Sequence, residues 1–319
     1  MEPVYSALLT LLLALIVDLL FGEPPLILHP TVWMGRVSEV IEKRLWAGRP
    51  MLERLQGVAL ALVVVNLFAL PTYYGLDAIN RYLGPISYLI ASVLLLKATF
   101  AIKAMERFTV PIAVAAREGD YGKARDLLRN VVRRDPNQLT DQQVLSAAVE
   151  TIAEGTVDGI TGPLFLYSLL GVPGAVAYRV INTLDSTVGY QDRAHLYIGW
   201  FSATLDTFAN YLPSRITGAL TVISSAILNL NFSNCLRILE SEHARTASPN
   251  AGWTISAMAG ALGVMLEKPG FYMVGKSSRM LTPTDITKAL RIMKLNVLLF
   301  TILVCVPLIT ICRILAPIV

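Results

Sequence analysis

Residues 58–74 read VALALVVVNLFALPTYY, an apolar run without a charge. The run Val4 to Val17 is of the same kind, and Ile86 to Met105 interrupts its apolar residues only with Lys97 and Lys103. A last run, Leu295 to Val319, carries only Arg313. At about 17–25 residues, most of these runs are long enough for a helix to cross roughly 30 Å of hydrocarbon. The composition of the 319-residue chain agrees, with 54% hydrophobic and 16% charged residues and a mean hydropathy of +0.57. Disordered chains need the opposite balance, and an ordinary soluble enzyme carries more charge. The net charge of +4 is too small to point to a nucleic-acid partner. Cys235, Cys305 and Cys312 make no metal-binding spacing.

Three weaker apolar segments lie further along, at Ile160 to Val180, Ile216 to Leu230 and Trp253 to Leu266. The first is interrupted by Gly162, Pro163, Gly171, Pro173 and Gly174, and the others are short, so core helices, re-entrant pieces and tilted spans all remain open. Basic residues cluster between the first two spans (Arg36, Lys43, Arg44, Arg49, Arg54) and after the third (Arg107 to Arg134), whereas Arg81 stands alone between the second and third. The positive-inside rule then places the N-terminus outside and residues 106–294 as a large cytoplasm-facing block within a single membrane-embedded domain, 1–319. In that block Ala113 to Val132 reads as one helix and Asp141 opens another, with Val144, Leu145, Ala148, Val149 and Ile152 at helical spacing. No strand alternation persists. The expected class is all-α: a multi-pass protein of the cell membrane with about four firm transmembrane helices plus short or broken membrane-associated ones.

The chemistry-bearing residues concentrate in the block. Glu150, Glu154 and Asp158 recur at i, i+4 and i+8, within about 80° of one helical face. Three acids so placed repel unless a cation neutralises them, which suggests Mg²⁺ shared with substrate phosphates. A solvated acidic stripe is the alternative, and the small apolar flanking residues argue against it. Arg133 and Arg134 precede that helix and suit bidentate phosphate binding, or simply anchor the cytoplasmic side. The densest polar stretch holds Arg179, Asn182, Asp185, Ser186, Tyr190 and Asp192. It suits a polar ligand and its metal, with Asp185 and Asp192 joining the acidic helix, or else a capped helix end.

Asp206 and Asn210 share a helical face before Pro213 and Arg215, and a helix-end salt bridge explains them equally well. Ser248-Pro249 reads as N-cap and first helical residue, so Ser248 and Asn250 would lie where free N–H groups meet an anion. His243, nearby, is a candidate base or ligand, and His29 a weaker one. No Walker, GxGxxG or GxSxG signature is present.

Taken in order, these motifs resemble one family, the CobD/CbiB proteins of cobalamin (vitamin B12) biosynthesis, over nearly the whole chain. The matching pieces run from Asp18…Gly22-Glu23-Pro24 and His29-Pro30…Met34-Gly35 through Arg134-Asp135, Glu150-x-x-Ala153-Glu154…Asp158-Gly159, Asn182-Thr183-x-Asp185-Ser186 and Gly189-Tyr190. They continue with Asp206…Asn210…Pro213-x-Arg215, Ser248-Pro249-Asn250-Ala251-Gly252 and Ala259-Gly260-Ala261-Leu262-Gly263. Gly155, Pro136 and Thr207 depart from the family pattern, and no role is carried onto them. The resemblance implies adenosylcobinamide-phosphate synthase, an ATP-dependent ligase. It would join a propionate of adenosylcobyric acid to (R)-1-amino-2-propanol or its O-phosphate, with ATP activating the carboxylate as an acyl phosphate. Mg²⁺ and arginines would stabilise the transferring phosphoryl group. The implied partners are the corrinoid, the amine and the lipid bilayer, with no nucleic acid. A homo-oligomer, or association with later cobalamin-assembly enzymes, stays open. A membrane transporter of a polar or corrinoid substrate is the rival reading.

Overall fold

The computed structural model describes residues 3–23, 30–45, 48–132, 134–189, 196–276 and 279–315. They form thirteen α-helices and one short hairpin, so the all-α expectation holds. Four helical runs are long and apolar enough to cross a membrane: Val4–Phe21, Pro50–Arg117, Asp141–Val188 and Pro283–Leu315. By contact the chain divides into two compact units, one of residues 1–101, 162–209 and 303–319, the other of 102–161 and 210–302.

The first unit holds α1 (Pro3–Phe21), α2 (Pro30–Glu42), α3 (Pro50–Lys97), α7 (Gly162–Val188), α8 (Trp200–Ala209) and α13 (Val306–Leu315). Leu12, Ile16 and Leu20 of α1 and Leu62, Val63, Leu67 and Leu70 of α3 are exposed, the pattern expected of helices whose outer faces meet lipid. Two helices are broken by glycine. In α3, Gly84 takes φ 83°, ψ 176°, a region open essentially to glycine alone, and Pro85 opens the second arm. The expected spans at 58–74 and 86–105 are thus the two arms of one broken helix. The second ends at Lys97, not Met105, where the buried ammonium meets Asp18 at 3.1 Å and Glu23 at 2.8 Å. In α7, Gly171 (φ 69°, ψ −162°) makes the same break. A Cβ on Gly162 would lie 2.2 Å from Tyr178 Oη, whereas a straight helix would hold these residues about 24 Å apart. The helix therefore doubles back, and the weak segment 160–180 is a pair of half-helices.

The second unit is built around α6 (Asp141–Thr156). The helix opens at Asp141, as the sequence suggested, with a Thr140–Gln143 capping box fixing that start, and Val144, Leu145, Ala148, Val149 and Ile152 are buried. Around it lie α4 (Ile102–Arg117), α5 (Tyr121–Leu128), α9 (Tyr211–Ile227), α10 (Phe232–Glu242), α11 (Ala251–Leu262) and α12 (Pro283–Phe300). The single helix expected over 113–132 is two, because Gly119 turns the chain at φ 80° and Asp120 caps a new start. Strands β1 (Leu266–Lys268) and β2 (Tyr272–Val274) make an antiparallel hairpin that the sequence pattern did not announce. Ser146 docks it on α6: its Oγ accepts from Glu267 N at 2.7 Å and donates to Glu267 O at 3.2 Å.

Candidate active site

Glu150 and Glu154 stand one turn apart on α6, and the second unit brings cations to them from two directions. Arg134, just ahead of the helix, donates from Nη2 to Glu150 Oε2 at 3.1 Å. Lys268, carried by the docked hairpin, places its ammonium 3.4 Å from Glu150 Oε1. Glu150 is only 4% exposed, so the pairing compensates a charge that burial alone would penalise. Two further donors lie beside it. Arg134 Nη1 is buried and forms no hydrogen bond among the described residues, and the buried Tyr272 Oη lies beside Glu150 as its only acceptor there. Burial holds the Tyr272 phenol well above its ordinary range, and the Glu150 and Glu154 carboxylates raise it further, so the group remains a proton donor. Lys268 and Tyr272 escaped the sequence reading. Their signal was a Pro-Gly turn, Pro269-Gly270, between two short stretches, which becomes meaningful only once Ser146 pins the hairpin.

The other predicted residues divide among three places. Asp158 does not continue the α6 face regularly, because Val157–Thr161 is a π-helical segment, which puts the helix out of register from that point on. In the first unit, Arg179 donates to Asn182 Oδ1 at 3.4 Å, and Asn182 donates to Asp206 Oδ1 at 3.2 Å. Asp185 and Ser186 lie within α7 and engage partners of their own, so neither is a cap. Arg133, Tyr190 and Asp192, with His29, fall outside the described residues. Among the described residues no three His, Cys, Asp or Glu side chains are gathered to hold a metal ion. Two carboxylates, Glu150 and Glu154, would suit Mg²⁺ only if most of its ligands were water and phosphate oxygens.

A second polar cluster lies on α9 and α11. Arg215 Nη1 donates to Tyr211 O at 2.7 Å and Asn250 Oδ1 at 3.1 Å, and its guanidinium lies 3.5 Å over the Tyr211 ring. Pro213 does not stop a helix but sits in the first turn of α9. His243 donates from Nδ1 to Leu239 O at 2.9 Å, a tautomer set by that carbonyl, and packs on Trp253 with ring centroids 4.4 Å apart. Helix α11 starts two residues later than Ser248-Pro249 suggested. Ser248 Oγ accepts from Asn250 N and Ala251 N, each at 3.3 Å, and so occupies N–H groups that were expected to be free. Gly252 is obligatory there, since a Cβ would stand 1.9 Å from His243 O. Cys235 is inert: burial pushes its thiol up to about 11.

Residues 11–293 match the family described as CobD/Cbib protein. A probable cobalamin biosynthesis protein CobD of Methanothermobacter thermautotrophicus is 42% identical, covering 92% of this chain and 95% of its own. A cobalamin biosynthesis protein CobD of Dehalococcoides mccartyi is 36% identical over 89% of this chain and 91% of its own, and a probable CobD of Pyrococcus furiosus 34% identical over 93% and 98%. No solved structure matches the chain. A match of this extent leaves one conclusion: the chain belongs to the CobD/CbiB family.

Proposed function

We propose that this protein is a membrane-bound enzyme of cobalamin biosynthesis, and that it forms the amide bond between adenosylcobyric acid and (R)-1-amino-2-propanol or its O-phosphate at the expense of ATP. The family supports the pathway. The observation that supports the reaction is the acceptorless buried donor Arg134 Nη1, beside Glu150, Lys268 and the Tyr272 phenol. A donor with no acceptor among the described residues fits a ligand made of oxygens, and phosphate is the most demanding of these. The neighbouring carboxylates fit a divalent cation that arrives with that phosphate. Bound Mg²⁺–ATP would supply activation of the inert carboxylate, its γ-phosphoryl passing to a carboxylate oxygen with ADP leaving; phosphate leaves when the amine attacks.

The chain's own residues would divide the remaining work. Arg134 holds phosphate oxygens through Nη1 while Nη2 keeps its bond to Glu150. Lys268 adds positive charge from the hairpin, and Tyr272 donates its phenolic proton as a hydrogen bond without losing it. Glu150 and Glu154 supply the anionic oxygens that a cation requires. Detergent-purified protein tests the proposal: ATP consumption should require corrinoid and amine together and match the amide formed. The glycine-broken helices α3 and α7 favour the transporter reading. Uptake of a corrinoid by proteoliposomes without amide formation would establish that reading instead.

A further inference from the structure

The first unit contains a cavity of about 530 Å³ that has no part in the proposed ligation site. It lies where α1 begins, where α3 and α7 are broken and where α13 ends. Ser6 and Thr10, Tyr73 and Asp77, Ile86 and Ser92, Gly171 and Pro173, and Arg313 all line it. A straight α3 would separate Tyr73 from Ser92 by about 28 Å, so the cavity exists because the helix is broken. The charge bias puts this end of the spans outside.

Arg313 is the decisive residue. It is 6% exposed, lines the cavity, and has no hydrogen bond or ion pair among the described residues. Asp77, the only acid among the described lining residues, is held by Arg81 at 2.9 Å. Ser92 adds a second unsatisfied group: it is 1% exposed and its Oγ has no partner among the described residues. A buried cation without a counter-ion is costly, and an ionisable residue within a membrane span marks a site by default. The second arms of α3 and α7 also begin at this cavity, with Pro85 and Pro173 in their first turns, and the N-terminal ends of such half-helices favour negative charge. Leu76, Ile86, Leu89 and Val172 make the rest of the wall apolar.

We infer that this cavity binds a phosphate-type oxyanion through Arg313 and Ser92, with the apolar wall accommodating what the anion is attached to. An anionic phospholipid headgroup and free phosphate share this chemistry. Delipidated full-length protein in phosphatidylcholine nanodiscs separates them, with phosphatidylglycerol added to the bilayer in one arm and inorganic phosphate to the buffer in the other. Melting temperature and adducts in native mass spectrometry are read in each arm. The expected result is a higher melting temperature with a retained adduct in one arm or both. R313Q should weaken retention about 10–100-fold, the worth of a charge-assisted hydrogen bond, while R313K keeps part of it. A response in the lipid arm alone identifies a headgroup, and one in the phosphate arm alone a soluble anion. No response in either arm overturns the inference. So does R313M melting higher than wild type in every membrane, which would show the guanidinium to be an uncompensated charge. If the Arg313 variants do not fold, S92A is read instead, and unchanged anion retention in S92A overturns the assignment.

Discussion

Glu154→Gln and Glu150→Gln make the same acid-to-amide change on adjacent turns of α6, yet the structure predicts different consequences. Glu150 is paired with Arg134 at 3.1 Å and Lys268 at 3.4 Å. Its amide would leave two cations facing a neutral group. Breaking a buried pair costs about 3–5 kcal/mol, but the partners here are 21% and 35% exposed, so about 1–3 kcal/mol is the fair expectation after solvent screening. Glu154 makes no ion pair among the described residues, and its amide relieves repulsion with Glu150. Its folding cost should stay under about 1 kcal/mol. On the proposed assignment, both variants would lose a ligand oxygen for the cation. If about 3–4 kcal/mol of transition-state stabilisation is lost, turnover falls roughly 10²–10³-fold. The assay is ATP-dependent amide formation by the purified variants, beside thermal melts with magnesium and with EDTA. Glu154→Gln should melt like wild type without magnesium, lose the magnesium-dependent rise and be nearly inactive. Near-normal turnover in a folded Glu154→Gln protein would refute the assignment of this pair to metal and phosphate.

Other variants probe the packing. Ser146→Ala removes both bonds to Glu267. It should lower stability by about 1–3 kcal/mol, and proteolysis between Lys268 and Tyr272 should accelerate as the hairpin loosens. Gly84→Ala forces a side chain into φ 83°, ψ 176° at about 1–3 kcal/mol. Gly75→Ala, with nothing within 4 Å of the new methyl, should raise the melting temperature slightly, by about 0.5–1 kcal/mol in stability. Lys97→Met removes the cation that Asp18, 0% exposed, and Glu23 share and should cost about 3–5 kcal/mol. Adding Asp18→Asn should recover much of the lost melting temperature, and two additive losses would show that the pair is not coupled.

Much of this protein is legible along the chain because its signals are local. Apolar runs such as 58–74 mark spans by length alone. Thr140 and Gln143 fix the start of α6 within one turn of backbone, and the i, i+4 spacing of Glu150 and Glu154 puts them on one face wherever the helix goes. The ordered family motifs need no coordinates. Where local pattern misled, the cause was a backbone conformation or side-chain bond that apolar spacing does not encode. Gly119 splits a helix that composition favoured. The π segment at 157–161 moves Asp158 out of step, and Ser248 fills the N–H groups it was expected to leave open. Tertiary structure alone decided that Lys268 and Tyr272 reach Glu150 across more than a hundred residues of chain, because the hydroxyl of Ser146 pins a hairpin whose three-residue strands are too short to show a period. It alone decided that α3 and α7 break to form a cavity that Arg313 lines. A glycine in an apolar run is compatible with a straight helix, and only the packing of its two arms fixes which conformation it takes.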